Sequence, residues 1–229
     1  MNPPPVTLKP VRIMAIVVIV MLCVDSLAAL LTLGADLYGI ALMERLILDP
    51  DTVSEAELAT SDTIDLAVEG LWSGAFLGSG VAFLVWLFRV RANAEVFDAD
   101  SQRYSKVSLV LGWVVPIVCL WYPKKFVDDI WLASLRAQVP PGAQVRRSGL
   151  VWGWWLCWVA WLIANTFATL AFRWATDAQG WLDAYRIEIV FVVVSWVTAG
   201  LAIAVVRRIT AMQEEVRARL AAMPPQPVE

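Results

Sequence analysis

The chain has 229 residues, of which 59% are hydrophobic and only 17% are charged, whereas soluble domains average about 45–50% apolar and about 25% charged residues. Histidine is absent, which excludes a histidine-ligated haem, a histidine zinc site and a Ser-His-Asp triad. The net charge of −3 combines an acidic segment, residues 35–65, with a basic segment, residues 89–149. This separation indicates membrane orientation rather than nucleic-acid binding, so we predict an integral membrane protein with no metal, no cofactor and no nucleic-acid partner.

Four apolar runs reach the roughly 20 residues that a helix needs to cross a bilayer. We predict an all-α membrane protein whose transmembrane helices occupy residues 13–34, 64–88, 150–172 and 187–206. The other segments are a proline-rich cytoplasmic N-terminus (1–12), an acidic extracytoplasmic loop (35–63), a basic cytoplasmic region (89–149), a short outer loop (173–186), a cytoplasmic helix (207–223) and a disordered tail (224–229). With four spans, both termini lie on the same side of the membrane.

The segment at residues 107–122 decides this topology, because it is short for a span. Its 16 residues make about 24 Å of helix, against a hydrocarbon core about 30 Å thick, and Pro116 interrupts it. If it does not cross, 15 of the 18 basic residues lie with both termini; if it crosses, the division is eight to ten. The positive-inside rule favours a re-entrant segment in the inner leaflet of the plasma membrane, with both termini cytoplasmic. A short fifth helix buried among the others satisfies the length argument equally well, but not the charge distribution.

Apolar side chains recur at helical spacing over residues 123–136, which begin with a proline tolerated in a first helical turn. The apolar members are Phe126, Val127, Ile130, Trp131 and Leu135. The charged members, which we expect to face away from them, are Lys124, Lys125, Asp128 and Asp129. The pattern predicts an amphipathic helix on the membrane surface.

A narrower apolar stripe runs along the predicted cytoplasmic helix at residues 207–223. Its members are Ile209, Met212, Val216, Leu220 and Met223. This stripe needs a partner surface, which either the inner-leaflet helix of this chain or another chain could supply.

Several motifs of the central region occur in the same order in a known family. They are WLFRVRAN at residues 86–93, Tyr104-Ser105, GWVVPIVCLWYPKKFVDDIWLAS from residue 112, and WGWW at residues 152–155. On these motifs the chain resembles, over about residues 64–210, an actinobacterial integral membrane family catalogued as domain of unknown function, family 4328. Where this chain has Cys119, that family often has asparagine. The resemblance implies a multi-pass membrane fold but no reaction, substrate or cofactor.

Glycines are spaced regularly in the second predicted span. Gly70, Gly74 and Gly78 fall four residues apart and so share one helix face. Small residues at this spacing let another backbone approach closely. The face predicts either internal packing against the first or fourth span, or the seam of a homodimer.

Three acids lie in or at the edges of the predicted spans. Asp25 lies deep in the first span, Glu69 about one turn inside the second, and Glu188 at the outer edge of the fourth. Ionisable groups inside a membrane are functional-site hypotheses by default. The three could form an outward-facing pocket for a proton, a cation or an amine. Alternatively, Asp25 is neutral or hydrogen-bonded and the two glutamates are ordinary interfacial residues.

Tryptophan is concentrated near the predicted inner face of the membrane. The residues that we single out are Trp121, Trp131, Trp154, Trp158 and Trp161. An aromatic belt at the headgroup layer explains most of them, and a groove for a lipid, quinone or isoprenoid is the alternative. Arg89, Arg91 and Asn93 lie at the same end of the second span. They could hold a phosphate headgroup, although positive-inside anchoring explains the two arginines almost as well.

Three functions fit these patterns. The first is a non-catalytic accessory or scaffold subunit of a membrane complex, with membrane lipids, a second copy or other subunits as partners. The second is an inner-leaflet enzyme that acts on a lipid or hydrophobic small molecule through Arg89, Arg91 and Asn93, with Asp128 and Asp129. The third is a proton- or ion-coupled transporter that uses Asp25, which four spans without visible inverted repeats disfavour. We favour the first, because the sequence shows no nucleotide-binding loop, metal cluster or nucleophile–base pair.

Overall fold

The computed structural model describes residues 8–99, 102–140 and 142–222. In this part of the chain every regular element is helical. The α-helices are α1 (Arg12–Leu48), α2 (Glu55–Phe97), α3 (Lys106–Val114), α4 (Tyr122–Arg136), α5 (Gly149–Trp174) and α6 (Ala178–Ala222), with 3-10 turns at Pro50–Thr52 and Val118–Leu120. The predicted disordered tail and most of the predicted proline-rich N-terminus lie outside the described residues.

Four of the helices, α1, α2, α5 and α6, are long and apolar enough to cross a membrane. They contain the four predicted spans, which confirms that part of the sequence interpretation. Three of them extend well beyond a bilayer: the 43 residues of α2 make about 64 Å of helix. The side on which each terminus lies stays a prediction.

The acidic segment between the first two spans is largely helical, not a loop. Helix α1 continues to Leu48, and α2 begins at Glu55. A capping box starts α2: the Ser54 hydroxyl accepts a hydrogen bond from the Glu57 N–H (3.2 Å), and the Glu57 carboxylate accepts one from the Ser54 N–H (2.9 Å). The reciprocal bonds satisfy N–H groups that a helix start leaves unpaired. Most carboxylates of this segment therefore lie on α1 or α2, and Asp49 and Asp51 lie at the turn between the two helices.

Residues 107–122 do not form one spanning helix. Helix α3 ends at Val114, and Ile117 then adopts a φ of 69°, a left-handed conformation that is strained for a β-branched residue. After this turn α4 packs closely against α3: a Cβ added at Gly112 of α3 would lie 2.7 Å from the Phe126 ring of α4. The depth of this segment in a bilayer stays a prediction.

Helix α4 differs from the expectation that its charges face outward. Ten of its 15 residues are buried, and Lys124, Asp128 and Asp129 are among them. Lys124 forms an ion pair with Asp128 (2.5 Å) and lies 3.8 Å from the centre of the Trp152 ring, while Arg103 pairs with Asp129 (2.6 Å). Burial is tolerated because each charge has an opposite charge beside it.

The described chain divides into two compact units. Unit 1 combines the chain up to Ile19, Val81–Trp155 and the chain from Ile203, whereas unit 2 combines Val20–Gly80 with Leu156–Ala202. The core of unit 1 contains Trp86, Phe126, Ile130, Ile209 and Met212. Unit 2 has two apolar clusters, one around Trp161, Phe191 and Val192 and the other around Leu42, Leu182 and Tyr185.

Within unit 1 the C-terminal part of α6 packs on the same chain. Ile209, Met212 and Val216 of the predicted apolar stripe are buried, and the Gln138 amide donates to the Glu215 carboxylate (2.5 Å). For these three residues the structure supplies the partner surface from its own chain, whereas Leu220 is exposed and Met223 lies outside the described residues.

Candidate functional site

Unit 1 contains a buried amide network centred on Asn93. Its Oδ1 accepts from the Lys9 N–H (2.8 Å), and its Nδ2 donates to the Lys9 carbonyl (2.9 Å) and to Gln213 Oε1 (3.0 Å). Gln213 Nε2 donates in turn to the Val90 carbonyl and to the Ser134 hydroxyl, both at 2.9 Å. The network joins the N-terminal segment, α2, α4 and α6, so Asn93 has a structural role whether or not it has a second one.

The two arginines of the predicted headgroup site also bond within the chain. Arg91 is buried; its Nε donates to Glu95 Oε1 (3.2 Å) and its Nη2 to the Tyr104 carbonyl (2.7 Å). Arg89 Nη1 donates to the Pro10 carbonyl (3.4 Å). A headgroup site formed by Arg89, Arg91 and Asn93 stays a prediction, and these bonds provide another reason for the residues.

The singled-out tryptophans divide between the two units. Trp121, Trp131 and Trp154 belong to unit 1, where Trp131 and Trp154 are buried and Trp121 is exposed. Trp158 and Trp161 belong to unit 2, where their rings stack at 5.0 Å. Trp161 is a core residue of that unit, so core packing explains it without a ligand.

The three glycines of the predicted face have different surroundings in unit 2. A Cβ added at Gly78 would lie 2.6 Å from Met21 Cε of α1, whereas one added at Gly70 or Gly74 meets nothing within 4 Å. Leu66 and Leu77, on the same helix, are 73% and 66% exposed. Internal packing therefore explains Gly78, and the Gly70–Gly74 part of the face is open.

An acid-lined cavity of about 440 Å³ lies within unit 2, and we refer to it as the acid cavity. Its carboxylates come from α1, α2 and α6 and are Asp36, Asp62, Asp65, Glu69 and Glu188. Glu69 and Glu188 are two of the three acids that the sequence suggested could share a pocket. Asp25 does not line the cavity, and no basic residue is among the side chains that do.

The burial of Asp36 sets it apart from the other acids of the cavity. Only 2% of its surface is exposed, whereas Asp62 and Glu69 are exposed at the cavity margin. The Asp36 and Glu188 carboxyl groups are close enough to influence each other electrostatically. The buried Oδ2 atom of Asp36 has no hydrogen-bond donor among the described residues. The cavity thus contains a buried acid beside a second one, and one of its carboxyl oxygens has no donor among the described residues.

Tyr185 positions a second acid of the cavity. Its hydroxyl donates a hydrogen bond to Asp65 Oδ2 (2.6 Å), and its ring lies against α1 at Gly39. A Cβ added at Gly39 would lie 2.6 Å from Tyr185 Cε2, so only glycine permits this approach. The close contact holds the tyrosine, and through it Asp65, in place.

The remaining lining is mostly aromatic or neutral and polar. Trp72, Phe172, Trp181 and Phe191 form apolar walls, and hydroxyl and amide groups come from Thr32, Asn165 and Thr169. Two basic residues of unit 2 pair elsewhere, Arg186 with Glu44 (3.0 Å) and Arg45 with Glu57 (2.9 Å), and Arg173 is exposed and does not line the cavity. The acid cavity therefore presents negative charge beside aromatic faces.

Sequence reasoning missed Asp36, Asp62 and Asp65, because it placed all three in or beside a loop. A usable signal was present: Thr32, Ala35, Asp36 and Gly39 fall on one face if the helix continues past residue 34. Among the described residues, no group of three or more acids or cysteines is placed to hold a metal ion.

Comparison with known proteins identifies a family. Residues 49–211 match the family described as Domain of unknown function (DUF4328). The match covers more than half of the chain, and the chain therefore belongs to this family, as the motif resemblance indicated. No curated protein and no solved structure matches the chain.

Proposed function

We propose that this member of the family is a non-catalytic accessory subunit of a plasma-membrane complex and that its acid cavity binds a positively charged ligand. The observation that carries the proposal is the convergence of five carboxylates on one cavity that no basic side chain of the described residues lines. A cation placed there is stabilised by several carboxylates at once, and more strongly than in water, because the site is partly buried. Because the charged side chains that line the cavity are all acidic, they are better suited to bind a cation than to polarise a bond of a substrate.

The proposed setting follows from the distribution of basic residues. Fifteen of the 18 lie with both termini if the chain crosses four times, which supports cytoplasmic termini and an extracytoplasmic acid cavity. The actinobacterial origin that the motifs imply belongs to the same proposal.

The cation site is tested by adding sodium, potassium, magnesium and organic ammonium chlorides to the purified protein at constant ionic strength. We expect at least one cation to raise the unfolding temperature by several degrees, because a ligand that binds only the folded state stabilises it. The variant with both Asp36→Asn and Glu188→Gln should lose this response. If no cation in the set raises the unfolding temperature of the unmodified protein, the cation site is wrong.

The accessory role is supported by the open Gly70–Gly74 face, where a second copy or another subunit could pack. Intact-complex mass spectrometry after gentle extraction tests it: stoichiometric foreign subunits support the role, and an isolated monomer contradicts it. Gly74→Leu should remove the partner and leave the stability of the monomer within about 0.5 kcal/mol, because nothing lies near Gly74.

Gly78→Leu is the matched control for this face. It meets Met21 within the same chain and should destabilise the monomer by about 1–3 kcal/mol through overpacking. If Gly74→Leu and Gly78→Leu had equal effects on assembly and on monomer stability, the proposal that a partner packs at Gly74 would be contradicted.

A second candidate function is proton- or ion-coupled transport through Asp25. One observation favours it: Asp25 Oδ1 is buried and has no hydrogen-bond partner among the described residues. Asp25→Asn should abolish uptake or efflux in reconstituted vesicles if Asp25 carries the coupled ion, and should leave complex formation unchanged. A transport rate that is unaffected by Asp25→Asn removes this candidate.

A further inference from the structure

The acid cavity contains an acceptor that the protein itself leaves unsatisfied. Asp36 is almost completely buried, and its Oδ2 atom has no donor among the described residues. A buried carboxylate oxygen without a partner is unfavourable, and the neighbouring carboxyl of Glu188 adds repulsion when both are ionised. A ligand that brings both a positive charge and an N–H donor to Asp36 removes both penalties.

The walls of the cavity indicate what the rest of the ligand contains. Trp72, Phe172, Trp181 and Phe191 line it, and aromatic faces attract both cations and apolar groups. Its volume of about 440 Å³ lies in the range of sites that bind small organic molecules, about 300–1,000 Å³. A monatomic ion would leave most of this volume and the aromatic walls without a contact.

We infer, building on the cation-binding role proposed above, that the acid cavity takes a protonated organic amine with an apolar body. The ammonium group lies between Asp36 and Glu188 and donates an N–H to the Asp36 carboxylate. The apolar body lies against the aromatic walls. Asp62 and Glu69, exposed at the margin, attract the cation toward the cavity.

The charged N–H donor distinguishes protonated amines from quaternary ammonium compounds and from neutral alcohols. A quaternary ammonium carries the charge but has no N–H and leaves Asp36 Oδ2 unsatisfied. A neutral alcohol of the same shape covers the walls but brings no charge. These differences make a set of matched probes.

The test is isothermal titration calorimetry on the full chain in zwitterionic phosphatidylcholine nanodiscs, with 2-phenylethylammonium as the probe. The matched compounds are 2-phenylethanol, which is uncharged, and benzyltrimethylammonium, which has no N–H; empty nanodiscs correct for partitioning. We expect 2-phenylethylammonium to bind at least about tenfold more tightly than either, because a hydrogen bond to a charged group is at stake.

Variants connect the binding to the cavity. Asp36→Asn should weaken the binding of 2-phenylethylammonium by about tenfold or more. Asp51 is an exposed acid that does not line the cavity, so Asp51→Asn should leave the affinity for this probe unchanged. Trp181→Leu is the second variant, since Trp181 is partly exposed and tolerates replacement. It should weaken binding by about three- to tenfold through loss of the aromatic face.

The outcomes separate this inference from the cation site on which it builds. If sodium or magnesium binds and 2-phenylethylammonium does not, the amine is wrong and the cation site stands. If 2-phenylethanol or benzyltrimethylammonium binds as tightly as the amine, the claim of an ammonium N–H on Asp36 is overturned. If Asp36→Asn and Asp51→Asn behave alike, the amine does not occupy this cavity.

Discussion

The Asn93 network of unit 1 and Asp36 of unit 2 are both buried and polar, but they differ in whether their polar atoms have hydrogen-bond partners. In unit 1 the amides of Asn93 and Gln213 bond to each other and to groups from other segments. In unit 2 the Asp36 Oδ2 atom has no donor among the described residues, and Asp36 lines a cavity together with other acids. Buried polar residues with complete partners stabilise a fold, whereas a buried acid that lines a cavity and has an unpaired oxygen is suited to bind a ligand.

The largest effect that this comparison predicts concerns Asn93. Asn93→Ala should lower the free energy of unfolding by about 2–3 kcal/mol, because it leaves the buried Gln213 Oε1 and the partly buried N–H and carbonyl of Lys9 without their partner. Asn165→Ala makes the same substitution on the wall of the acid cavity and should change stability by less than about 1 kcal/mol. Denaturant titration in micelles measures both. Similar losses would remove the contrast between the units.

The next prediction concerns a substitution that should stabilise the protein rather than destabilise it. Asp36→Asn should raise the free energy of unfolding of the ligand-free protein by about 1 kcal/mol, because function and stability commonly oppose each other at binding sites and the amide removes the repulsion from Glu188. Asp51→Asn, on the exposed turn, should have no measurable effect. A destabilisation as large as that of Asn93→Ala would mean that Asp36 is a structural residue.

The smallest effect concerns pH and lies in unit 1. Glu214 Oε1 accepts from the N–H groups of Val11 (2.8 Å) and Arg12 (3.1 Å) at the start of α1. Partial burial raises its pKa, but the bonds from Val11, Arg217 and Arg12 outweigh burial and hold the pKa below its ordinary value. A lowered pKa in the folded state means that Glu214 stabilises the protein above the ordinary glutamate pKa of about 4.3.

This contribution is lost as the pH falls through the lower folded pKa. Between pH 5 and pH 3 the free energy of unfolding should therefore fall by up to about 1 kcal/mol more in the unmodified protein than in the Glu214→Gln variant. Unfolding measured across this range checks the difference between the two proteins, since the other acids titrate in both. Parallel pH curves would show that Glu214 does not cap α1.

The sequence predicted the four long helices well, because apolar runs are visible without any tertiary information. It also placed the break near Pro116, where the missing N–H prevents a continuous helix. It did not predict helix lengths, because the argument from bilayer thickness ends a helix at the interface. Helix α1 continues to Leu48, which gave Asp36 a helical position that the sequence had assigned to a loop.

The candidate site was predicted in part. Glu69 and Glu188 both line the acid cavity, whereas Asp25 lies 11 residues before Asp36, or about 16 Å along the helix axis, and is not among the lining residues. The charges of α4 show the general difficulty: a charged residue is expected to face solvent until its partner is known, and Trp152 beside Lys124 comes from a helix 28 residues further along the chain.

The bond between Glu214 and the start of α1 also has a consequence for biosynthesis. Val11 and Glu214 are 203 positions apart in the sequence, and Asn93 and Gln213 are 120 positions apart. Contacts so distant in sequence form late, since chains emerge at about 5–20 residues per second. The contacts that join unit 1 can therefore form only after the ribosome has passed residue 214, long after the first helix has been made.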